Sequence, residues 1–252
     1  MSDGDRAVGD VRLIELADLD DDAVAALYEP GDERWLRVNF VTSLDGAVTL
    51  DDYSEGLSGP ADKRVFGILR MRCDALLVGA GTLRHEGYGA LRLDERRRAW
   101  RLAHGLAEHP TLVIASRQLA LAANHPALVD APVRPIILTY RDAPADRRLA
   151  LEPVADVLAY GDDEVDLRAG VEALHERGLR QVLSEGGPHL LGALTAADLV
   201  DELDLTLSPL LAGPGAGRIT AGPAAGDVVR HLRPRHVLHA DGMLMTRYDR
   251  VR

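Results

Sequence analysis

Ser184-Glu185-Gly186-Gly187-Pro188-His189-Leu190-Leu191 is the stretch from which this 252-residue sequence is best read. Before it, Gln181-Val182-Leu183 is an apolar run with the length of a buried strand. After it, Leu190-Leu191-Gly192-Ala193-Leu194 has the spacing of a helix's first turns. Two glycines at such a hand-over carry no side chain to block approach, so backbone N–H groups at the positive end of the helix dipole make an anion site. Glu185 stands beside it at a strand's carboxyl end, where open α/β sheets bind their ligands. A plain strand-turn-helix, with Pro188 in the first helical turn and Glu185 in solvent, fits the same letters. The motif alone leaves the two readings even.

On either side of this stretch strands alternate with helices. Apolar runs at residues 36–41, 74–78, 111–115, 135–139 and 156–160 read as strands. Pro60 opens a helix through Arg72, and Asp166 caps another that Gly178 stops. Residues 94–106 read as a helix whose Arg96, Arg97, Arg98 and Arg101 form a solvated face, residues 79–82 as a turn, and residues 83–93 as a loop over the sheet edge. Val48-Thr49-Leu50 continues the first core strand in extended form. Residues 201–208 alternate like a strand with one face buried, and residues 236–240 and 244–248 form a hairpin about Asp241-Gly242. The pattern predicts an α/β fold: a mainly parallel central sheet flanked by helices, with an antiparallel C-terminal edge. Residues 1–10 are expected to be disordered, and residues 11–28 to hold a short strand and a helix opened by Asp20-Asp21-Asp22. Residues 1–34 thus read as an N-terminal extension to a single domain over residues 35–252.

Composition narrows the function. No apolar run is long enough to cross a bilayer and no targeting segment opens the chain, so a soluble, cytoplasmic protein is expected. A net charge of −11 with 4% aromatic residues disfavours nucleic acid and anionic membranes as partners. The single cysteine, Cys73, reads as a core residue and excludes an internal disulfide or a multi-cysteine zinc site. The histidines His85, His175, His189 and His236 form no H-x-x-x-H pattern, so no metal is expected.

Three strand ends carry small or polar residues: Ser43 to Gly46, Gly79 to Thr82, and Glu185 to Gly187. Parallel strands bring such ends to one side of a sheet. Gly79-Ala80-Gly81-Thr82-Leu83-Arg84 lacks the third glycine of the dinucleotide fingerprint, and Ser43 and Ser184 lack the G-x-S-x-G setting of a hydrolase. Ser116-Arg117 stand after another strand.

Four segments in order resemble the reductase domain of riboflavin biosynthesis, which shares the dihydrofolate reductase fold. They are Ser43-Leu44-Asp45-Gly46; Ser58 to Arg70 with Cys73-Asp74-Ala75-Leu76-Leu77-Val78-Gly79-Ala80-Gly81-Thr82; Ser184-Glu185-Gly186-Gly187-Pro188; and Val200-Asp201-Glu202-Leu203 through Leu207-Ser208-Pro209-Leu210-Leu211-Ala212-Gly213. The resemblance implies an NADPH-dependent reductase of a ribosylaminopyrimidine phosphate, such as 5-amino-6-(5-phosphoribosylamino)uracil, that turns the ribose into a ribityl chain. It implies cofactor contacts at Thr42, Gly56, Thr82, Glu86 and Ser116, with Gly186 and Gly187 under the phosphates and Gly79, Gly81 and Arg117 beside them. It implies substrate contacts at Ser54, Arg70, Ala90, Arg92 and Glu185, where Arg70 and Arg92 have the chemistry to clamp a phosphate. Glu185 or Asp45 is expected to orient the substrate or relay a proton. The resemblance also implies a homodimer, with residues 201–211 as an apolar strand near a sheet edge. Asn39 stands where the family often has lysine, and Gly56 where it has tryptophan. The motifs H-x-E and P-C-x-x-C of a fused zinc deaminase are missing. Two other readings remain open: a dihydrofolate- or pteridine-reducing enzyme, and a nicotinamide- or flavin-binding protein without turnover.

Overall fold

The computed structural model of the protein describes residues 11–215, 217–223 and 229–251. The disorder expected of residues 1–10 lies outside them. In chain order the elements are β1 (Arg12–Glu15), α1 (Asp21–Leu27), β2 (Trp35–Ser43), α2 (Pro60–Arg72), β3 (Ala75–Gly79), α3 (Ala80–His85), α4 (Glu95–Ala103), β4 (Thr111–Ala115) and α5 (Pro126–Val129). They continue with β5 (Ile136–Thr139), α6 (Ala145–Leu151), β6 (Asp156–Ala159), α7 (Leu167–Glu176), β7 (Gln181–Ser184), α8 (Pro188–Ala196), β8 (Glu202–Ser208), β9 (Leu232–Ala240) and β10 (Met243–Arg250). One ten-stranded sheet runs β1-β9-β10-β8-β2-β7-β3-β4-β5-β6. All its pairings are parallel except those of β10.

The parallel strands are apolar because both faces are covered. Their side chains alternate: Leu76, Val78, Leu112 and Ile114 join a core with α1, α2, α5 and α6, whereas Ala75, Leu77 and Val113 pack with α7 and α8. The expected α/β fold is therefore present. Asp20 and Asp166 cap α1 and α7 by accepting from Ala23 and Ala169 N–H. Asp241 and Gly242 both take positive φ, as a two-residue hairpin turn with the twist of its strands requires. Ahead of residue 35, β1 pairs with β9, and Val24, Ala25 and Tyr28 enter the same core.

Four local expectations differ. Residues 79–82 are the end of β3 and the first turn of α3, so the segment expected as a loop begins as a helix. Val48 to Leu50 forms no strand; Leu50 bridges Tyr53 across Asp51 and Asp52, both at positive φ. Arg101 is not on a solvated face: it is fully buried and donates to the carbonyls of Met71, Cys73 and Ala107, tying α4 to the end of α2. Finally, β8 lies between β10 and β2, not at an edge.

The buried face of β8 is its polar one, Glu202, Asp204, Thr206 and Ser208. The reason is charge supplied by its neighbours. Glu202, fully buried, accepts from Trp35 Nε1 at 2.8 Å, from Arg37 Nε and from Arg247 Nη2 at 2.8 Å. Burial opposes its ionisation, but the two guanidiniums, Arg37 first, hold its carboxyl below the ordinary range. Asp204 is pushed the other way, by burial and then by Glu202. Removing one member of such a cluster strands buried charge. Glu202→Ala is therefore expected to lower the unfolding free energy by about 3–5 kcal/mol. Urea unfolding at neutral pH checks this; a loss under about 1 kcal/mol would mean that the cluster is worth no more than a surface pair.

Candidate active site

A cleft of about 810 Å³ opens between α2, the start of α3 and the turn from β7 into α8. The ends of β2, β7, β3 and β4, adjacent and parallel in the sheet, come to this side. Glu185 follows β7 and is 7% exposed. Its backbone N–H still bonds Leu77 O, which places the side chain on the cleft wall.

Glu185 is held by two side chains. Arg70 approaches it in bidentate fashion, Nε to Oε1 at 2.9 Å and Nη2 to Oε2 at 2.6 Å, and the Tyr88 hydroxyl donates to Oε2 at 3.2 Å. The Arg70 guanidinium in turn lies over the Phe66 ring at 4.1 Å and the Tyr88 ring at 5.4 Å. Burial raises the proton affinity of Glu185, with Arg70 opposing. Burial likewise pushes up the Tyr88 hydroxyl, and the Glu185 charge adds to it. The site thus contains a carboxylate, a guanidinium and a phenol locked together, with little freedom to reorient.

The glycine turn is built differently from the sequence expectation. The Gly187 N–H is not free for an anion: it donates to Thr82 Oγ1 at 2.8 Å. A Cβ on Gly187 would sit 2.7 Å from that oxygen, and one on Gly186 would sit 2.3 Å from Leu190 Cδ2, so both glycines are required by close approach. At Gly81 a Cβ would meet nothing within 4 Å, which leaves open space beside the turn.

Of the residues expected at the site, Glu185, Arg70, Ser54, Ala90, Arg92, Gly81, Thr82, Glu86, Gly186 and Gly187 line the cleft. Glu86 Oε1 accepts from Ser54 N–H at 3.3 Å. The phosphate clamp expected of Arg70 and Arg92 is not assembled, because Arg70 is committed to Glu185 and Arg92 donates to Asp130 O. Thr42, Gly56 and Gly79 lie off the cleft wall. Ser116 and Arg117 lie beyond it too, at the end of the next strand but one from β7; Ser116 is buried, and Arg117 is exposed with Glu164 4.0 Å away.

Asp45 is outside the cleft altogether. Its carboxylate accepts from Ser43 Oγ and from the N–H groups of Ala212 (3.1 Å) and Gly213 (2.8 Å), which makes it a staple between two loops. Sequence reasoning missed Asp62, Tyr88 and the cleft side of Phe66, all on the wall. The four-residue spacing of Asp62, Phe66 and Arg70 on one helix was the available signal. Among the described residues no group of three or more metal-ligating side chains is assembled.

The hydrogen bonds to Asp45, Ser43's first, hold its carboxyl at about 2, below the ordinary 3.8. A depressed carboxylate contributes stability above its unfolded value and loses it as pH falls through its folded value. Asp45→Asn is accordingly expected to be less stable than the parent at neutral pH, with the gap closing as pH falls from 3.8 towards about 2. Denaturant unfolding of both proteins across that range checks it; a gap independent of pH would show that the charge of Asp45 plays no part.

Known proteins resemble this chain over most of its length. The curated 2,5-diamino-6-ribosylamino-4(3H)-pyrimidinone 5′-phosphate reductase of Archaeoglobus fulgidus is 29% identical over 177 residues, 70% of this chain and 80% of the relative. The enzyme of the same name from Methanothermobacter thermautotrophicus is 28% identical over 176 residues, covering 70% and 78%. Among solved structures, a pyrimidine reductase-like protein of Corynebacterium diphtheriae superposes with a TM-score of 0.83 at 24% identity, covering 91% of this chain and 98% of that one. The riboflavin biosynthesis reductase of Saccharomyces cerevisiae gives 0.65 at 16% identity, covering 90% and 94%. Residues 34–244 match the family described as the RibD C-terminal domain, and this chain belongs to that family.

Proposed function

We propose that the protein is an NADPH-dependent reductase of a ribosylaminopyrimidine 5′-phosphate. The observation that carries this reading is the contiguity of three strand ends. Glu185 to Gly187 follow β7, Gly81 and Thr82 follow β3, and Ser116 and Arg117 follow β4, on neighbouring strands. The open space at Gly81 admits a phosphate, and Arg117, 62% exposed, offers a guanidinium for a 2′-phosphate. Bound there, a reduced nicotinamide supplies the hydride. Hydride delivery to C1′ of the ribose would go with cleavage of the C1′–O4′ bond, O4′ taking a proton from water or an acid of the site, and would leave a ribityl chain. The residues of this chain hold the partners for that transfer: Thr82 fixes the glycine turn, while Arg70 and Tyr88 fix Glu185 against the substrate. The names of the relatives favour a pyrimidine over a pteridine.

The test is oxidation of reduced nicotinamide in the presence of a ribosylaminopyrimidine 5′-phosphate, with NADPH and NADH compared. Turnover with NADPH is expected. Arg117→Ala should reduce the preference for NADPH by roughly ten- to a hundredfold, the range for a charged hydrogen bond of about 1.5–3 kcal/mol. Absence of turnover, or equal affinity of the parent for both cofactors, would contradict the reading.

The same proposal includes a homodimer, resting on exposed leucines beside β8 and not on an edge strand. Leu44 (58% exposed) donates its N–H to Leu210 O, the residue before Leu211 (80% exposed), and Leu244 on the neighbouring β10 is also exposed. A second copy would cover this patch. Light scattering at micromolar concentration is expected to give twice the 27.2 kDa of one chain, falling to one chain in the Leu44→Asp, Leu211→Asp variant. A parent mass of one chain would sink the dimer.

A further inference from the structure

The geometry points to Asp62 as the residue that reads the pyrimidine ring, selecting a 2-amino-4-oxo ring over a 2,4-dioxo ring. The inference rests on the reductase reading above and adds to it the residue that would read the base named for the relatives. Among the described residues two acidic side chains are both buried and on the cleft wall, Asp62 and Glu185. Glu185 already has a counter-charge: Arg70 pairs with it and Tyr88 adds a bond to Oε2. Asp62, 6% exposed, has no ion pair among the described residues. Its only partners are hydroxyls, Ser58 Oγ to Oδ2 at 2.5 Å and Thr206 Oγ1 to Oδ1 at 2.6 Å. Each carboxylate oxygen can accept more than one bond, so each retains an acceptor position. Both hydroxyls hold the carboxylate in place without neutralising it.

The position of Asp62 on α2 supplies the rest. Asp62, Phe66 and Arg70 stand four residues apart, so one face of α2 presents to the cleft a carboxylate, an aromatic ring and a guanidinium in that order. Phe66, with the Arg70 guanidinium stacked on it, borders the cleft beside Asp62, and a pyrimidine ring lying along this wall would bring its edge to Asp62. A 2-amino-4(3H)-pyrimidinone has two adjacent donors on that edge, N3–H and the 2-amino group, which match the two oxygens of a carboxylate. In a uracil ring N3–H lies between two carbonyl oxygens. Those oxygens repel a carboxylate, and one donor is lost. Selection of this kind follows from leaving a buried polar group unpaired, which discriminates more strongly than shape.

The test compares kcat/KM for the 2-amino-4-oxo and the 2,4-dioxo ribosylaminopyrimidine 5′-phosphates, at saturating NADPH, in the parent and in Asp62→Asn. The parent is expected to favour the 2-amino substrate by at least tenfold. In Asp62→Asn the amide can donate to a ring carbonyl, so the ratio should fall by roughly ten- to a hundredfold, carried mainly by KM of the 2-amino substrate, with the NADPH dissociation constant unchanged. A structural role alone would lower both rates together and leave the ratio where it was. Equal kcat/KM for the two substrates in the parent overturns the proposal without any variant, should Asp62→Asn fold poorly. Turnover of the 2-amino substrate with a ratio insensitive to Asp62→Asn overturns the role of Asp62 and leaves the reductase reading intact. No turnover of either substrate removes both.

Discussion

The bidentate bond between Arg70 and Glu185 joins the last turn of α2 to the end of β7 across the floor of the cleft. Removed from water, a lone carboxylate would take up a proton and a lone guanidinium would be costly to bury; together they remain charged. This pairing has a structural effect beyond its own energy. It fixes the separation between helix and sheet beside the cleft, and it gives Glu185 a counter-charge. The remaining wall, including Asp62, is left to meet a ligand.

A second buried ionic cluster lies on the other side of β2, where Arg37 and Arg247 meet Glu202 and Asp204. It has a different task. Parallel strands usually adhere through aliphatic side chains, but β8 turns its acids inward, and the two arginines also donate to the carbonyls of Leu27, Tyr28 and Glu29 after α1. The N-terminal helix is thereby tied to the sheet by charge-assisted bonds that few other arrangements of these strands could satisfy. Such bonds specify register more than they add stability.

Much of the architecture was legible because apolar runs, caps and the Asp241-Gly242 turn state their geometry locally. The short helices α3, α5 and α6 were not. They span six, four and seven residues, and neither α3 nor α6 has a side-chain cap. The polarity of β8 was misleading for a physical reason: alternation shows that one face differs from the other, and which face is inside depended on arginines far away in the chain. The same limit applied to the site. Glu185 was readable from its own motif, whereas its partners Arg70 and Tyr88 are 115 and 97 residues distant. Asp45 looked chemical in its S-x-D-G setting and proved to be a loop staple, because its partners at Ala212 and Gly213 are as remote.

The pairing of β1 with β9 joins residues 12–15 to residues 236–239. During synthesis β1 therefore emerges long before β9 and stays without its partner strand until Leu232–Ala240 have left the ribosome. Contacts of such separation close late, since the entropy of the intervening chain must be overcome first. The strand is only four residues long and carries Arg12 and Glu15, which limits its capacity to pair with another chain in the meantime. Nascent-chain solubility is thus written into the brevity of β1, a property that the finished sheet no longer displays.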